Sequence, residues 1–180
     1  PEFWLLLGCK PVADIPKEAV MENKELLARV KEDDVKFISL QFTDVTGLVK
    51  SVDIPVSRLG VALEDGIWFD GSSVEGFARI QESDMRLIPD PSTYAVLPWT
   101  PLDLRRGRIF CDIYQPDGEP FSGDPRGTLK RVLSQVKERG WEYNVGPEPE
   151  FFLFRRNGGN GIHPVPHDVG GYFDFSANDD

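Results

Sequence analysis

The chain has 180 residues, of which 40% are hydrophobic and 28% are charged, as in an ordinary globular protein. It carries 20 Lys and Arg against 30 Asp and Glu, and this net charge of −10 argues against binding to a nucleic-acid phosphate backbone. Apolar runs such as that at residues 4–7 are far too short to span a membrane. The 2 cysteines cannot form a disulfide framework, which favours a reducing, cytoplasmic setting.

The first twenty residues differ from the rest of the chain. They begin without a Met, contain Pro11 and Pro16, and lack the basic and apolar regions of a secretory signal. Met21 precedes an amphipathic pattern at residues 23–31, which predicts a helix. We therefore interpret residues 1–20 as a leader or a vector-derived arm. A genuine N-terminal arm that packs on a partner is the alternative.

Residues 35–120 have the pattern of a small mixed β domain with little helix. Period-two alternation and short apolar runs predict strands at residues 35–42, 48–54, 67–70, 93–97 and 108–114. The turn residues at 44–47 join the first two strands as a hairpin, and a short helix is expected at 57–64. Cys111 lies inside the last strand, where we interpret it as a small buried hydrophobe.

A second region begins at Asp124, a helix cap that is followed by proline at the first helical position. Apolar residues then recur at helical spacing at Leu129, Val132, Leu133 and Val136. Gly140 provides a left-handed end, so a helix is predicted between Asp124 and Gly140. Strands are expected at 141–145 and 150–154. One helix and two strands cannot close a core, so we expect the chain to be truncated or completed by a partner.

The stretch Gly-Pro-Glu-Pro-Glu at 146–150 combines two carboxylates with two prolines. Pro149 keeps Glu148 out of the helical region, and in an extended chain Glu148 and Glu150 point to the same side. Their Cα atoms would be about 6.6 Å apart, which suits two hard cations such as Mg²⁺ better than one chelated ion. The apolar run at 151–154 is expected to anchor this edge in a core. A solvated polar edge before a buried strand explains the same pattern.

Asp70 ends an apolar strand and opens a Gly-Ser-Ser turn at 71–73. A carboxylate at a strand end can act as a base or as a cation ligand. An Asx turn that stops the strand explains the same residues. Further along the chain, we interpret Glu82, Asp84 and Arg86 as a surface ion-pair set.

Six motifs, in this order and spacing, resemble the N-terminal part of prokaryotic type I glutamine synthetases. They are LQFTDVTG at 40–47, FDGSSVEGF at 69–77, ESDM at 82–85, CDIY at 111–114, GPEPEFFLF at 146–154 and GGYF at 170–173. The resemblance implies an α+β fold with a β-grasp domain at 21–120, including its short N-terminal helix. The truncated start of the catalytic α/β domain would follow at 121–180.

The resemblance implies a ligase that condenses glutamate and ammonia through γ-glutamyl phosphate, with ATP as co-substrate and Mg²⁺ or Mn²⁺ as cofactor. In such enzymes the two glutamates of the Gly-Pro-Glu-Pro-Glu motif hold different cations. Glu148 would lie at the cation near the ATP phosphates, and Glu150 would lie at the cation near the glutamate carboxylate.

The resemblance also implies roles for residues around the ammonium ion. Asp70 would come from the adjacent subunit and take a proton from ammonium. The positions that surround this pocket match Ser73, Asp84 and Tyr172. Arg79 matches a position that is tied, in one subtype of the family, to inhibition by glutamine.

A cytoplasmic homo-oligomer is implied as well, a dodecamer of two hexameric rings with sites between neighbouring subunits. The family's remaining metal ligands, phosphate-binding arginines and lid glutamate lie beyond residue 180, so we expect this chain alone to be inactive. Two alternatives remain: a γ-glutamyl-amine ligase of the same superfamily, and a non-catalytic β-grasp module that binds another protein.

Overall fold

The computed structural model of the chain describes residues 21–74, 84–155, 164–171 and 173–174. The chain divides into two compact units, with the boundary between Trp141 and Glu142. None of the helices in the described ranges has the length and apolar character that a membrane span requires. The segment 1–20, interpreted above as a leader, lies outside the described residues.

The regular structure described in the first unit consists of helices and a single mixed sheet. The helices are α1 (Asn23–Glu32), α2 (Leu59–Asp65) and α3 (Pro125–Glu138). The strands are β1 (Phe37–Thr43), β2 (Val49–Pro55), β3 (Ile67–Asp70), β4 (Asp84–Pro89), β5 (Ala95–Val96) and β6 (Arg106–Tyr114). Short 3₁₀ turns lie at Val56–Arg58, Gly71–Ser73, Pro91–Thr93 and Leu102–Leu104.

The sheet has the strand order β2-β1-β6-β4-β3, and β5 also pairs with β6. β1 and β2 form the predicted hairpin, with Phe37 opposite Pro55 and Thr43 opposite Val49. β1 and β6 run parallel, while the other described pairs are antiparallel. This combination of a mixed sheet and separate helices confirms the predicted α+β class.

The core of the first unit includes one face of the sheet and the inner faces of α1 and α2. Leu26 of α1 and Leu59 of α2 are both 0% exposed. They belong to one apolar cluster with strand residues that include Ile38, Leu40, Leu87, Ile109, Cys111 and Ile113. Cys111 is fully buried, as predicted, and this burial raises the pKa of its thiol. The thiol therefore stays neutral and serves packing.

Gly107 of β6 packs against the ring of buried Tyr94. A Cβ at this position would lie 2.7 Å from Tyr94 Cε2 and 3.1 Å from Ile38 Cδ1. We expect Gly107→Ala to lower the free energy of unfolding by about 1–3 kcal/mol, the usual cost of overpacking a core. Urea denaturation followed by tryptophan fluorescence measures the change.

Gly60 of α2 provides the matched control, because a Cβ at this position meets no atom within 4 Å. Gly60→Ala should leave the free energy of unfolding unchanged or raise it by up to about 1 kcal/mol, since alanine favours a helix over glycine. Equal losses of stability in the two variants would contradict the packing role of Gly107.

The turn between β1 and β2 is organised by the buried side chain of Asp44. Its Oδ1 accepts hydrogen bonds from Thr46 N at 2.9 Å, Thr46 Oγ1 at 2.7 Å and Leu48 N at 2.9 Å. Its Oδ2 lies 3.3 Å from Lys50 Nζ. These donors, and the Thr46 hydroxyl most of all, lower the pKa of the Asp44 carboxyl to about 2. The charged carboxylate therefore stabilises the turn.

This lowered pKa predicts a pH dependence of stability. A depressed folded-state pKa stabilises the fold above the ordinary value of 3.8, and that stabilisation should be lost as the pH falls towards about 2. Asp44→Asn should remove this part of the pH dependence. Thermal melts across the acidic range measure it, with Asp65→Asn, an exposed aspartate, as the control. An unaltered pH profile in Asp44→Asn would refute the assignment.

Helix α3 confirms the helix predicted after Asp124, and its first turn is fixed on the sheet. The Asp124 side chain is 2% exposed and accepts hydrogen bonds from Arg126 N at 3.0 Å and Ile113 N at 3.2 Å. The Arg126 guanidinium then bridges the carboxylates of Asp90 and Asp112. These contacts tie the start of α3 to the end of β6.

The predicted secondary structure differs from the structure at four strands. The strands expected at 141–145 and 150–154 are absent from the described residues, where only an isolated bridge joins Phe154 to Pro166. A strand needs a hydrogen-bonded neighbour along its length, and the described part of the second unit provides only this short pairing. The strand expected at 93–97 shrinks to β5, because the residues before it form a 3₁₀ turn. Strand β4 was missing from the prediction altogether.

Candidate active site

Asp70 is the last residue of β3, and its side chain closes the turn that follows. Asp70 Oδ1 accepts hydrogen bonds from Ser72 N at 2.9 Å and Ser72 Oγ at 2.6 Å, and Oδ2 accepts one from Ser73 Oγ at 2.9 Å. This is the Asx turn that the sequence allowed as an alternative. The turn leaves the side chain exposed, so it does not exclude a functional role for the carboxylate.

These donors also set the charge state of Asp70. They hold the pKa of its carboxyl below the usual range, and the hydrogen bond from the Ser72 hydroxyl has the largest effect. Asp70 is therefore an oriented carboxylate at neutral pH. An ionised carboxylate of this kind attracts a cation. Because its pKa is low, it holds a proton only transiently, when a reaction delivers one to it.

Asp84, the first residue of β4, lies directly opposite Asp70 in the antiparallel ladder. Opposite residues project from the same face, with Cβ atoms roughly 4.5–5.5 Å apart. Both side chains are exposed, and neither forms an ion pair within the described ranges. Two facing carboxylates repel each other, and a cation between them removes that repulsion. The arrangement suits a small cation.

The structure brings together Asp70, Ser73 and Asp84, three of the four residues expected around an ammonium ion. Ser73 donates its hydroxyl to Asp70 Oδ2 and thereby orients that carboxylate. The fourth residue, Tyr172, lies outside the described residues, and so does Arg79.

Trp68 and Arg86 share this face of the sheet with the two aspartates. Sequence reasoning missed Trp68 and named Arg86 only as a member of a surface ion-pair set. They lie opposite each other in the ladder, and Arg86 Cζ is 5.6 Å from the centroid of the Trp68 ring, within the range of a cation–π contact. Arg86 and Asp84 form no ion pair in the described structure, and Glu82, the third member of the expected surface ion-pair set, lies outside the described residues. Period-two spacing after Asp84 is the signal that could have placed Arg86 here.

Glu148 and Glu150 lie in the second unit, and both side chains are exposed. Neither has a cationic partner in the part of the chain that the structure describes. Carboxylate oxygens are the ligands that Mg²⁺ and Mn²⁺ prefer, so this donor set fits such ions. It is incomplete, because the described residues contain no group of three or more His, Cys, Asp or Glu side chains that could hold a metal.

The apolar run after Glu150 is exposed, which contradicts the expectation that it anchors this edge in a core. Phe151 is 72% exposed and Phe152 is 85% exposed. The backbone at 153–155 pairs with that at 165–167 through hydrogen bonds of 2.9 Å and 2.8 Å. Two paired segments cannot bury a strand face, because a sheet needs at least three strands or a packed helix for that.

Two family models match the regions that contain these features. The model described as "Glutamine synthetase, beta-Grasp domain" matches residues 34–116, which include the Asp70–Asp84 pair. The model described as "Glutamine synthetase, catalytic domain" matches residues 122–180, which include α3, Glu148 and Glu150. Fold and site thus define a β-grasp domain followed by the first part of a catalytic domain.

Similar proteins point to the same family. The glutamine synthetase of Methanosarcina mazei is 50% identical over 157 residues, which cover 87% of this chain and 35% of that protein. A glutamine synthetase of Staphylococcus aureus is 47% identical over 150 residues, 83% of this chain and 34% of its own length. The chain therefore belongs to the glutamine synthetase family, as its motifs predicted. It spans about a third of the length of the curated relatives it matches.

Solved structures support the fold. The cryo-EM structure of Plasmodium falciparum glutamine synthetase matches with a TM-score of 0.59 and 28% identity, over 66% of this chain and 23% of that chain. A structure described as "GmaS/ADP complex-Conformation 1" matches with a TM-score of 0.58 and 27% identity, over 63% and 26% of the two chains.

Proposed function

We propose that this chain forms part of an enzyme that condenses L-glutamate with ammonia, at the expense of ATP, through γ-glutamyl phosphate. Relatives named glutamine synthetase match most of the chain at 45–50% identity. Above all, the opposed positions of Asp70 and Asp84 in the ladder support this reaction, because two facing carboxylates favour a cation such as ammonium.

Asp70 is the proposed proton acceptor. Its carboxylate binds ammonium and takes one of its protons, which frees the nitrogen lone pair to attack the γ-carbonyl carbon of the acyl phosphate. The nitrogen passes its second surplus proton to the departing phosphate or to solvent. A C–N bond forms, the C–O bond to the phosphoryl group breaks, and phosphate leaves. Asp84 adds a second negative charge, and Ser73 keeps the Asp70 carboxylate oriented. We propose that Tyr172 completes the pocket.

Glu148 and Glu150 are proposed as ligands of two divalent cations, Mg²⁺ or Mn²⁺. Glu148 would hold the cation on the side of the ATP phosphates, and Glu150 would hold the one beside the glutamate carboxylate. When bound, such cations offset the charge that develops on the phosphoryl oxygens. The chain itself contributes hard oxygen donors at alternate positions of a proline-containing segment.

The same proposal covers the organisation of the protein. We place the boundary between the β-grasp domain and the catalytic domain near residue 120, and we propose a cytoplasmic dodecamer in which Asp70 serves the site of a neighbouring subunit. Exposed apolar side chains, such as Trp99 at 77% and Leu102 at 73%, are available for contacts with the rest of the protein or with a neighbouring subunit. The free, buried thiol of Cys111 suits a reducing compartment.

The test is the product that a complete enzyme carrying this segment makes from glutamate, ATP and a nitrogen donor. With ammonium it should form glutamine, ADP and phosphate, and a chelator of divalent cations should stop the reaction. Methylamine and a polyamine are compared at equal concentration. Preference for an amine would assign a γ-glutamyl-amine ligase instead. Binding of another protein without any ATP-dependent product would assign a non-catalytic module.

A further inference from the structure

The outer face of β3 and β4 carries the positively charged side chain of Arg86 beside the carboxylates of Asp70 and Asp84. Arg86 nevertheless forms no ion pair with either carboxylate in the described structure. Arg86 follows Asp84 by two residues on β4 and so projects from the same face. Diagonal neighbours on a sheet face are roughly 7–8 Å apart, which an arginine side chain can reach. Even so, Arg86 forms no ion pair with Asp70 or Asp84 in the described residues.

The guanidinium of Arg86 instead stands over the ring of Trp68, with 5.6 Å between Cζ and the ring centroid. Its Nε atom is buried and has no hydrogen-bond partner in the described part of the chain. A turn of the side chain towards the aspartates would give its nitrogens carboxylate partners and a charge-assisted hydrogen bond. That ion pair would neutralise the cation site before a substrate arrived.

We propose that Trp68 is a positioning residue whose ring holds Arg86 away from Asp70 and Asp84, so that both carboxylates stay available to ammonium. This role rests on the proposed function, because it presupposes that the two aspartates bind the substrate cation. Trp68 acts through Arg86 and touches no reacting atom. It lies on the short edge strand β3 and is 55% exposed, so its ring contributes little to the core.

Ammonium kinetics of a complete enzyme carrying this segment test the role of Trp68. Trp68→Ala releases Arg86 and should raise the KM for ammonium about fivefold, the size of one exposed ion pair, with kcat and the KM for glutamate unchanged. Adding Arg86→Gln to Trp68→Ala should restore the original KM, because a neutral side chain cannot compete for the carboxylates. Trp68→Phe keeps an aromatic face and should resemble the unmodified enzyme.

Two outcomes would overturn this role. One is an unchanged KM for ammonium in Trp68→Ala. The other is an equal rise in the single and the double variant, which would show that Trp68 acts through the fold and not through Arg86. Failure of the proposed function has a different signature, since the unmodified enzyme would then form no glutamine from ammonium, and the role of Trp68 would fall with it.

Discussion

Replacing Glu150 by glutamine in a complete enzyme that carries this segment should reduce glutamine formation by at least about 100-fold, and Glu148→Gln should do the same. Glutamine keeps the size of the side chain but removes the negative charge and one of the two ligand oxygens. Each variant should also weaken the binding of one divalent cation. Initial rates at saturating Mg²⁺ and a titration with Mn²⁺ measure the two effects separately.

Glu142→Gln is the matched control, because Glu142 is an exposed glutamate of the same unit. It should retain full activity and both cation affinities. If the variants at Glu148 and Glu150 behaved like this control, the two glutamates would have no role in cation binding. They would then be the solvated polar edge that the sequence analysis gave as the alternative. Loss of activity with unchanged Mn²⁺ binding would likewise contradict a role as cation ligands.

Elements with strong local signals could be predicted from the sequence. Asp124, Pro125 and Gly140 mark the two ends of α3, and apolar residues recur at helical spacing between them. The hairpin of β1 and β2 follows from alternation on both sides of a turn, and Asp44 closes that turn with its own side chain. In each case the turn or cap that starts the element is formed by residues close together in the chain.

Features that depend on distant partners could not be predicted in this way. The two aspartates of the candidate site are brought together by the register of β3 against β4, and register is set by packing across the sheet. The prediction of a buried strand at Phe151 and Phe152 is wrong for the same reason, since an apolar run forms a strand only beside another strand.

A comparison of Asp70 with Asp90 shows how local pattern and function separate. Both aspartates cap a 3₁₀ turn and accept hydrogen bonds from the backbone and hydroxyl of a serine two residues later. The Asp90 carboxylate is paired with Arg126, whereas Asp70 faces a second carboxylate. The turn is therefore common to both residues, and only the three-dimensional neighbours distinguish a structural aspartate from a candidate catalytic one.

Asp70→Asn should lower kcat/KM for ammonium by about 1,000-fold in a complete enzyme, within the range of general-base catalysis. The amide oxygen can still accept the hydrogen bonds that close the turn, so the variant removes the charge and the proton acceptor but keeps the local fold. Hydroxylamine is neutral near pH 7 and brings no ammonium proton to remove. Formation of γ-glutamyl hydroxamate should therefore fall much less than formation of glutamine, and comparing the two products isolates the role of the carboxylate.

An equal loss with both nucleophiles would show that Asp70 supports the turn and does not accept a proton. Asp65→Asn, at an exposed aspartate that ends α2, should leave both reactions unchanged.

Ser73→Ala removes one of the hydroxyls that hold the pKa of Asp70 low, so it should make this carboxylate more basic and less well oriented. The kcat/KM for ammonium of the Ser73→Ala enzyme should therefore lie between the values of the unmodified enzyme and of Asp70→Asn. The variant disturbs the orientation of the Asp70 carboxylate but keeps its negative charge.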